Sequence, residues 1–412
     1  MHMDHRPRRL ECPLAGSYSA GSMGTQRVVI LGSTGSIGRA TLDVIAALPK
    51  QFTVAGLGAG GNWQLLAAQA RQFGPEAVSL VDAAASESLR GQLPPACPVL
   101  AGPDSAAELV CKVQADIVVT AIVGVAGIHA TLAAVQRARR VAIANKEPLV
   151  VAGPLILAEA QRHGTQIVPI DSEHSALFQA MQAGARDEVL QVYLTASGGP
   201  FRQWTRERMD QATVEEALAH PTWRMGQKIT VDSATMMNKA LEIVEACRLF
   251  HLETGQVRVL IHPESVIHSI VQFRDGSFLA QMSSPDMRVP ISYALTYPKR
   301  LAGPASVLDI YALRQMNFEP PDVERFPAIE LGYEVVHRGG TSGAVLNAAN
   351  EVAVEAFLSG QIPFGKIVPT VRQVLSRHKI GSADTLERLL AADTWARQEA
   401  AGLLGVCCRG SG

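Results

Sequence analysis

A chain of 412 residues exceeds one ordinary hydrophobic core and, at roughly 100 to 200 residues per domain, should divide into two or three domains. Hydrophobic residues make up 47% and charged residues 18%, with no apolar run near the roughly 18 residues of a membrane span, so a soluble globular protein without a membrane partner is expected. Lys plus Arg (37) balance Asp plus Glu (38) at a formal charge of -1, which leaves no global field to attract nucleic acid; any phosphate recognition must be local.

Residues 1–24 are basic, then rich in Gly and Ser, and lack the apolar stretch of a secretory signal; they read as a disordered extension. The six cysteines (Cys12, Cys97, Cys111, Cys247, Cys407 and Cys408) form no C-x-x-C pair in a chain far larger than disulfide-dependent domains, which points to a reducing cytoplasm. From residue 27 onward, short Val- and Ile-rich runs at 28–31, 52–57, 77–80, 117–121, 141–144 and 167–170 alternate with amphipathic stretches. Strands buried on both faces read this way, so residues 25–170 should form a doubly wound α/β domain around a parallel sheet. Strand-like runs at 189–196, 257–261, 266–273 and 278–282, broken by Gly, Pro and one strong helix, predict a second, α+β domain over 171–300. A proline-rich stretch at 301–327 then reads as a linker to a helical C-terminal domain over 328–405.

The first strand runs into Gly32-Ser33-Thr34-Gly35-Ser36-Ile37-Gly38, which opens a helix predicted over 39–48. Such a loop lets the backbone approach a pyrophosphate whose charge is stabilised by free N–H groups at the helix N-terminus. The spacing is G-x-x-G-x-x-G, and a tight turn in another α/β protein shares it. The second strand ends at Gly58-Ala59-Gly60-Gly61-Asn62 without the Asp or Glu that would bind the ribose hydroxyls of NAD.

Two later strands end in charged clusters, Asn145-Lys146-Glu147 and Asp171-Ser172-Glu173-His174, and ligands in open α/β sheets gather at such carboxyl ends. Asp171 and Glu173 offer hard oxygens to Mg²⁺ or Mn²⁺; alternatively Asp171 merely caps the helix beginning at Ser172. The segment Asp232 to Glu242 predicts a single helix continuing toward Phe250, with Thr235, Asn238, Glu242 and Glu245 on one face. That face is either solvated or a site, since Ser233, Asn238 and Lys239 carry the donors a phosphate needs and Glu242 can meet a cation. The loop Thr195 to Pro200, with Ser197, can turn donors toward an anion, or be a plain Gly-Pro loop. The non-periodic stretch His220-Pro221-Thr222-Trp223-Arg224-Met225-Gly226 suits a mobile lid or a packed loop. A zinc site at His262, Glu264 and His268 is disfavoured by strand-like alternation and the lack of H-E-x-x-H spacing.

In this order the motifs GSTGSIG, ANKE, DSEH, ASGGPF, HPTWRMG, VDSATMMNKALE, HPESVIHS and NAANEVAV resemble those of the 1-deoxy-D-xylulose 5-phosphate reductoisomerase family, over about residues 26–378. The resemblance implies an NADPH-binding N-terminal domain, Mg²⁺, Mn²⁺ or Co²⁺ in the central domain, a homodimer, and conversion of 1-deoxy-D-xylulose 5-phosphate to 2-C-methyl-D-erythritol 4-phosphate in non-mevalonate isoprenoid synthesis. Carried over motif by motif, it implies Asp171, Glu173 and Glu242 as metal ligands and Ser197, Ser233, Asn238 and Lys239 on the phosphate. Ser172 and His220 would meet substrate hydroxyls, with Trp223 in a cover over the substrate. Thr34, Gly35, Ser36 and Ile37 would contact the cofactor phosphates, Gly60, Gly61 and Asn62 the adenosine end, and Asn145, Glu147 and Gly226 the remainder. Lys146 would lie between cofactor and substrate. Gly61 departs from the relatives that carry a basic residue there. Outside this resemblance, a metal-free α/β dehydrogenase and a non-catalytic nucleotide-binding regulator share parts of the pattern.

Overall fold

The computed structural model describes residues 24–406 apart from Arg224; all but the last residue of the expected N-terminal extension, and Cys12, Cys407 and Cys408, lie outside the described residues. Seven strands, β1 (Gln26–Leu31), β2 (Phe52–Ala59), β3 (Ala77–Leu80), β4 (Val99–Ala101), β5 (Ile117–Thr120), β6 (Arg140–Ile143) and β7 (Gln166–Pro169), form one sheet. Its order is β4-β3-β2-β1-β5-β6-β7 and every pairing is parallel, as the buried apolar runs predict. The order reverses at β1, so the crevice outside the carboxyl ends of β1 and β5 is the switch point at which such sheets bind ligands. Strand β4 escapes a reading of the sequence because three residues after Pro94, Pro95 and Pro98 carry no periodicity.

A second sheet of order β11-β10-β8-β9 joins β8 (Val189–Ala196), β9 (Val257–Ile261), β10 (Ile267–Phe273) and β11 (Phe278–Met282). Strand β10 is antiparallel to β8 and β11, whereas β8 and β9 are parallel. Residues 301–327 contain no helix or strand beyond a bridge between Ile261 and Glu319. The C-terminal region is helical: Ala328–Arg338, Ser342–Leu358, Ile367–Arg377 and Leu386–Leu404. No described helix is long and apolar enough to cross a membrane.

Two helix irregularities position the site. The helix Glu147–His163 is broken at Ala152 (φ -121°, ψ 22°), because Pro154 has no N–H for the carbonyl of Val150. Arg248 satisfies that carbonyl and donates to Leu149 O at 2.6 Å, tying this helix to the end of Met237–Leu249. The helix predicted over Asp232 to Phe250 is in fact two, Gln227–Thr235 and Met237–Leu249, because Met236 adopts a left-handed conformation (φ 60°, ψ 15°). Thr235 therefore does not share the face of Asn238 and Glu242; its hydroxyl accepts the Met237 N–H at 3.2 Å and braces the break.

Candidate active site

The glycine loop follows β1 with geometry that only glycine permits at two points. Gly32 has φ +89°, and a Cβ there would fall 2.4 Å from Ala121 O; a Cβ on Gly38 would fall 2.3 Å from Gly32 O. Without those groups the helix Ser36–Ala47 seats directly on the strand end, and its N-cap, Gly35, contributes no side-chain acceptor to the first-turn N–H groups. Gly35, Ser36 and Ile37 line a cavity of about 540 Å³ that also reaches the ends of β5, β6, β7 and β8. Thr34 is half-buried in the turn and does not line it. Gly60, Gly61 and Asn62 are exposed beyond the end of β2, outside the cavity, and Asn62 caps Trp63–Phe73 by accepting the Leu65 N–H at 3.1 Å.

Opposite the glycines, Asp171, Glu173 and Glu242 each place an oxygen within 4.8 Å of the others. Asp171 stands at the N-cap of Ser172–Ala180 but makes no capping bond through its side chain. Its carboxylate instead meets Lys146 Nζ at 2.7 Å and His174 Nδ1 at 3.0 Å, which decides against a purely capping role. Lys146 also reaches Glu242 Oε1 at 3.0 Å and Asn238 Oδ1 at 2.8 Å. Lys239 joins Glu173 Oε1 at 2.9 Å, Thr195 O at 2.6 Å and the second oxygen of Glu242. Glu242 is fully buried, so its helix face is not solvated.

Charge decides how these groups titrate. Burial alone would strip Lys146 of its proton, but Asp171 and Glu242 outweigh it and hold the ammonium well above its ordinary range. Burial likewise opposes ionisation of Asp171, yet Lys146 and then His174 keep it well below the carboxylate range; against the same burial, Lys239 lowers Glu173. For Glu242, burial and the adjacent Glu173 prevail and raise it; a dication at this point would relieve both penalties. Three carboxylates of hard oxygen donors, converging and partly uncompensated, fit Mg²⁺ or Mn²⁺.

The remaining donors surround the cluster. Ser172 Oγ bonds Glu173, and Ser197, at the end of β8, accepts the Gly199 N–H at 3.1 Å. Gly199 has φ +68° with Ser233 O only 2.6 Å from its would-be Cβ, so the Ser197 loop packs onto Ser233. His220 Nδ1 accepts the N–H groups of Thr222 (3.1 Å) and Trp223 (2.9 Å), and burial lowers its pKa. Those two bonds place the ring proton on Nε2, which lies 3.2 Å from Ser197 Oγ as a donor. Trp223 is half-buried, its ring centroid 6.2 Å from that of His268. Asn145, Glu147, Trp223, Gly226, Ser233 and Asn238 all line the same cavity. Both polar atoms of the Asn145 amide are buried without a protein partner, as a cofactor-contacting side chain in a glycine-built crevice would be. Of the disfavoured zinc trio, His262 Nδ1 lies 3.1 Å from Glu264 Oε2 and 2.9 Å from Asn317 O, whereas His268 Nε2 lies 2.9 Å from Ser283 Oγ, and among the described residues the three do not converge as a ligand group.

Lys228 and Asp82 went unnoticed in the sequence, and His174 and Glu245, though placed in the charged cluster and on the polar helix face, were given no role of their own. His174 is fully buried between Asp171 and Glu245 Oε2 (3.3 Å), and its Nε2 meets Glu242 O at 3.0 Å. Against the opposing effect of burial, Glu245 and Asp171 raise it to about 9, while burial lifts Glu245 to about 7. Lys228 bridges Glu147 and Asp232 at 3.0 and 2.9 Å. Asp82, at the end of β3, brings Oδ2 within 3.8 Å of where a Gly61 side chain would begin. The Lys228–Asp232 and Asp171–His174 spacings are visible along single helices, whereas the contacts of His174 with Glu245, Lys228 with Glu147 and Asp82 with Gly61 join separate segments.

Three sequence-family models match in succession: 1-deoxy-D-xylulose 5-phosphate reductoisomerase at residues 28–153, its C-terminal domain at 167–250, and the DXP reductoisomerase C-terminal domain at 282–399. The 1-deoxy-D-xylulose 5-phosphate reductoisomerase of Pelotomaculum thermopropionicum is 50% identical over 374 residues, covering 90% of this chain and 97% of its own length. That of Rhodococcus jostii is 50% identical over 91% of this chain and 93% of its own. The solved Zymomonas mobilis reductoisomerase in complex with NADPH superposes with a TM-score of 0.87 at 43% identity, covering 93% of this chain and 100% of that one. A DOX-P reductoisomerase in complex with NADPH, fosmidomycin and magnesium gives 0.86 at 39% identity, over 92% of this chain and 98% of that one. With identity of this level along nine-tenths of its length, the chain belongs to the 1-deoxy-D-xylulose 5-phosphate reductoisomerase family.

Proposed function

We propose that this chain catalyses the NADPH- and divalent-metal-dependent rearrangement and reduction of 1-deoxy-D-xylulose 5-phosphate to 2-C-methyl-D-erythritol 4-phosphate in isoprenoid synthesis. The observation that carries this reading is the convergence of Asp171, Glu173 and Glu242 in the same cavity as the glycine loop at the sheet's switch point. Asp171, Glu173 and Glu242 would hold Mg²⁺, Mn²⁺ or Co²⁺; Gly35, Ser36, Ile37, Asn145, Glu147 and Gly226 would hold the cofactor within the cavity, with Thr34, Gly60, Gly61 and Asn62 beyond it. When bound, the cation supplies Lewis-acid stabilisation of oxyanions as a C–C bond breaks and reforms, and NADPH supplies the hydride that reduces the resulting aldehyde.

The protein's own part is assembly and orientation. Lys146 and Lys239 hold the three carboxylates together in advance, at separations of 2.7 to 3.0 Å where they pair with Asp171, Glu173 and Glu242 Oε1. Three carboxylates against two ammonium groups leave one net negative charge, which a dication inverts; a phosphate is then attracted to Lys239, Asn238, Ser197 and Ser233. Phosphate held away from the reacting carbons orients them, which lowers the barrier without touching the bonds that change. His220, whose Nε2–H meets Ser197 Oγ in this structure, and Ser172, which bonds Glu173, would turn to substrate hydroxyls when these arrive, and Trp223 offers an apolar cover that excludes water. Exposed Phe278 and Leu279 on edge strand β11 support a homodimer. The cysteine usage supports a cytoplasmic location.

The test is NADPH consumption with 1-deoxy-D-xylulose 5-phosphate, abolished by EDTA and restored by Mg²⁺ or Mn²⁺. Turnover that survives EDTA, or a lack of any with added metal, would sink the reading.

A further inference from the structure

Beside the acid–lysine cluster lies a second charge network whose cation, Lys228, has no part in the proposed chemistry. Lys228 is the second residue of the helix Gln227–Thr235, which begins immediately after Gly226 and carries Ser233. Its ammonium lies 3.0 Å from Glu147 Oε1 and 2.9 Å from Asp232 Oδ2. Asp232 Oδ1 accepts from Asn350 Nδ2 at 2.7 Å, on the helix Ser342–Leu358 of the C-terminal region. Glu147 begins the helix that follows β6 and shares the cavity wall with Asn145 and Lys146. The end of β6 and the helix after the Trp223 loop thus meet at one ammonium group, and the C-terminal helices join them through Asp232.

Each contact has a physical reason to matter. Burial would push Glu147 toward neutrality, but the charge and hydrogen bond of Lys228 hold its carboxylate below the ordinary range. Lys228 is itself kept charged, against burial, by Asp232, Glu147 and Glu351. A buried carboxylate stripped of its cation either takes up a proton or shifts toward water, and neither leaves it presented to a ligand as before. Asp232 is separately held by Asn350, so loss of Lys228 should free Glu147 more than it frees Asp232.

We infer that Lys228 is a positioning residue for the cofactor half of the site: it fixes the Glu147 carboxylate in the crevice and sets the helix bearing Ser233 against the end of β6. The inference rests on the reading of this crevice as the NADPH site. It makes no demand on the metal, so it can be tested on binding alone.

The experiment measures NADPH affinity by titration calorimetry, without metal or substrate, for wild type, Lys228→Met, Glu147→Gln, the double variant and Lys228→Arg, with melting temperatures alongside. Lys228→Met and Glu147→Gln should each weaken NADPH about tenfold, and the double variant no further than the worse single one, since both remove the same arrangement. Lys228→Arg, which keeps a cation over Glu147, should recover most of the loss and is the variant to rely on if Lys228→Met does not fold. Effects that add in the double variant, an Arg variant as weak as Met, or a Lys228→Met protein that melts early yet binds NADPH normally would each overturn the proposal. Wild type that binds no NADPH overturns the functional reading and this inference with it; normal wild-type binding with an unaffected Lys228→Met overturns this inference alone.

Discussion

The two walls of the cavity are built by opposite means. On one, side-chain charge does the positioning: Asp171, Glu173 and Glu242 are held by Lys146 and Lys239 at hydrogen-bonding distance, and His174 and Glu245 back them from the core. On the other, backbone does it: Gly32 and Gly38 bring strand, loop and helix together by lacking side chains. The charged wall tolerates no loss of a functional group, because each buried charge is the partner of another. At Gly32 and Gly38 the glycine wall tolerates no gain of an atom. That difference makes their failures separable, since removing a carboxylate should spare the cofactor and adding a methyl group should not.

The largest effect is expected from Glu242→Gln, and similarly from Asp171→Asn. Each should lower metal-dependent turnover by at least about 10²- to 10³-fold while leaving NADPH affinity unchanged. Near-normal kcat in either variant, measured at saturating Mg²⁺, removes the metal assignment. Next comes Gly38→Ala, whose added Cβ would lie 2.3 Å from Gly32 O and 2.4 Å from Ser33 Cα, both backbone atoms that cannot swing aside. Overpacking of this kind costs about 1 to 3 kcal/mol, so the melting temperature and NADPH affinity should fall together. A Gly38→Ala protein that binds NADPH like wild type would show that the close seat of the helix is not needed for the cofactor.

How much of this was legible in the sequence follows the same division. Buried parallel strands announce themselves as Val- and Ile-rich runs, and six of the seven strands in the first sheet fall within two residues of their expected limits at either end. The glycine loop and the two charged strand ends were readable because chain order at a strand terminus already fixes their place. Strand β4 was not, being three residues long and set behind prolines. Nor was the break at Met236, since Ser233 to Glu242 contains no Gly or Pro and the left-handed turn is imposed by packing rather than by local preference. The capping alternative for Asp171 could be decided only in three dimensions, where its partner, Lys146, comes from the end of another strand. Lys228 and Glu147, likewise, are far apart in the chain and adjacent only in the fold.

A smaller effect tests the boundary between the walls, where the stretch His220 to Gly226, which carries Trp223, meets Ser197 through His220. His220 ties the loop to Ser197 and to its own backbone, while Trp223 itself is only half-buried. Trp223→Ala should therefore lower kcat/KM about tenfold through poorer closure, with little change in melting temperature. Protease protection of 220–226 should rise when a phosphonate or sugar phosphate binds. Equal protection in both states, or unfolding of Trp223→Ala, would make the residue a core anchor rather than a cover.

The smallest expected effect lies at the exposed end of the glycine wall. Gly61 is exposed, and a side chain there would meet nothing closer than Asp82 Oδ2 at 3.8 Å, so Gly61→Arg should fold normally. Residues 58–62 contain no cation, and the nearby carboxylate of Asp82 caps Ala83–Arg90 by accepting the Ala85 N–H at 3.1 Å. If the adenosine ribose lies beyond β2, its phosphate meets no positive side chain from this loop in the wild type, and an arginine would add one able to bind it bidentately. Solvent limits the gain: exposed ion pairs contribute about 0.2 to 1 kcal/mol, which converts to a roughly 1.5- to 5-fold rise in kcat/KM for NADPH over NADH. The rise should shrink as ionic strength increases, because the pair is screened. An unchanged ratio, or equal improvement with both cofactors, would place the ribose phosphate away from Gly61 and leave the second strand's end without a part in cofactor choice.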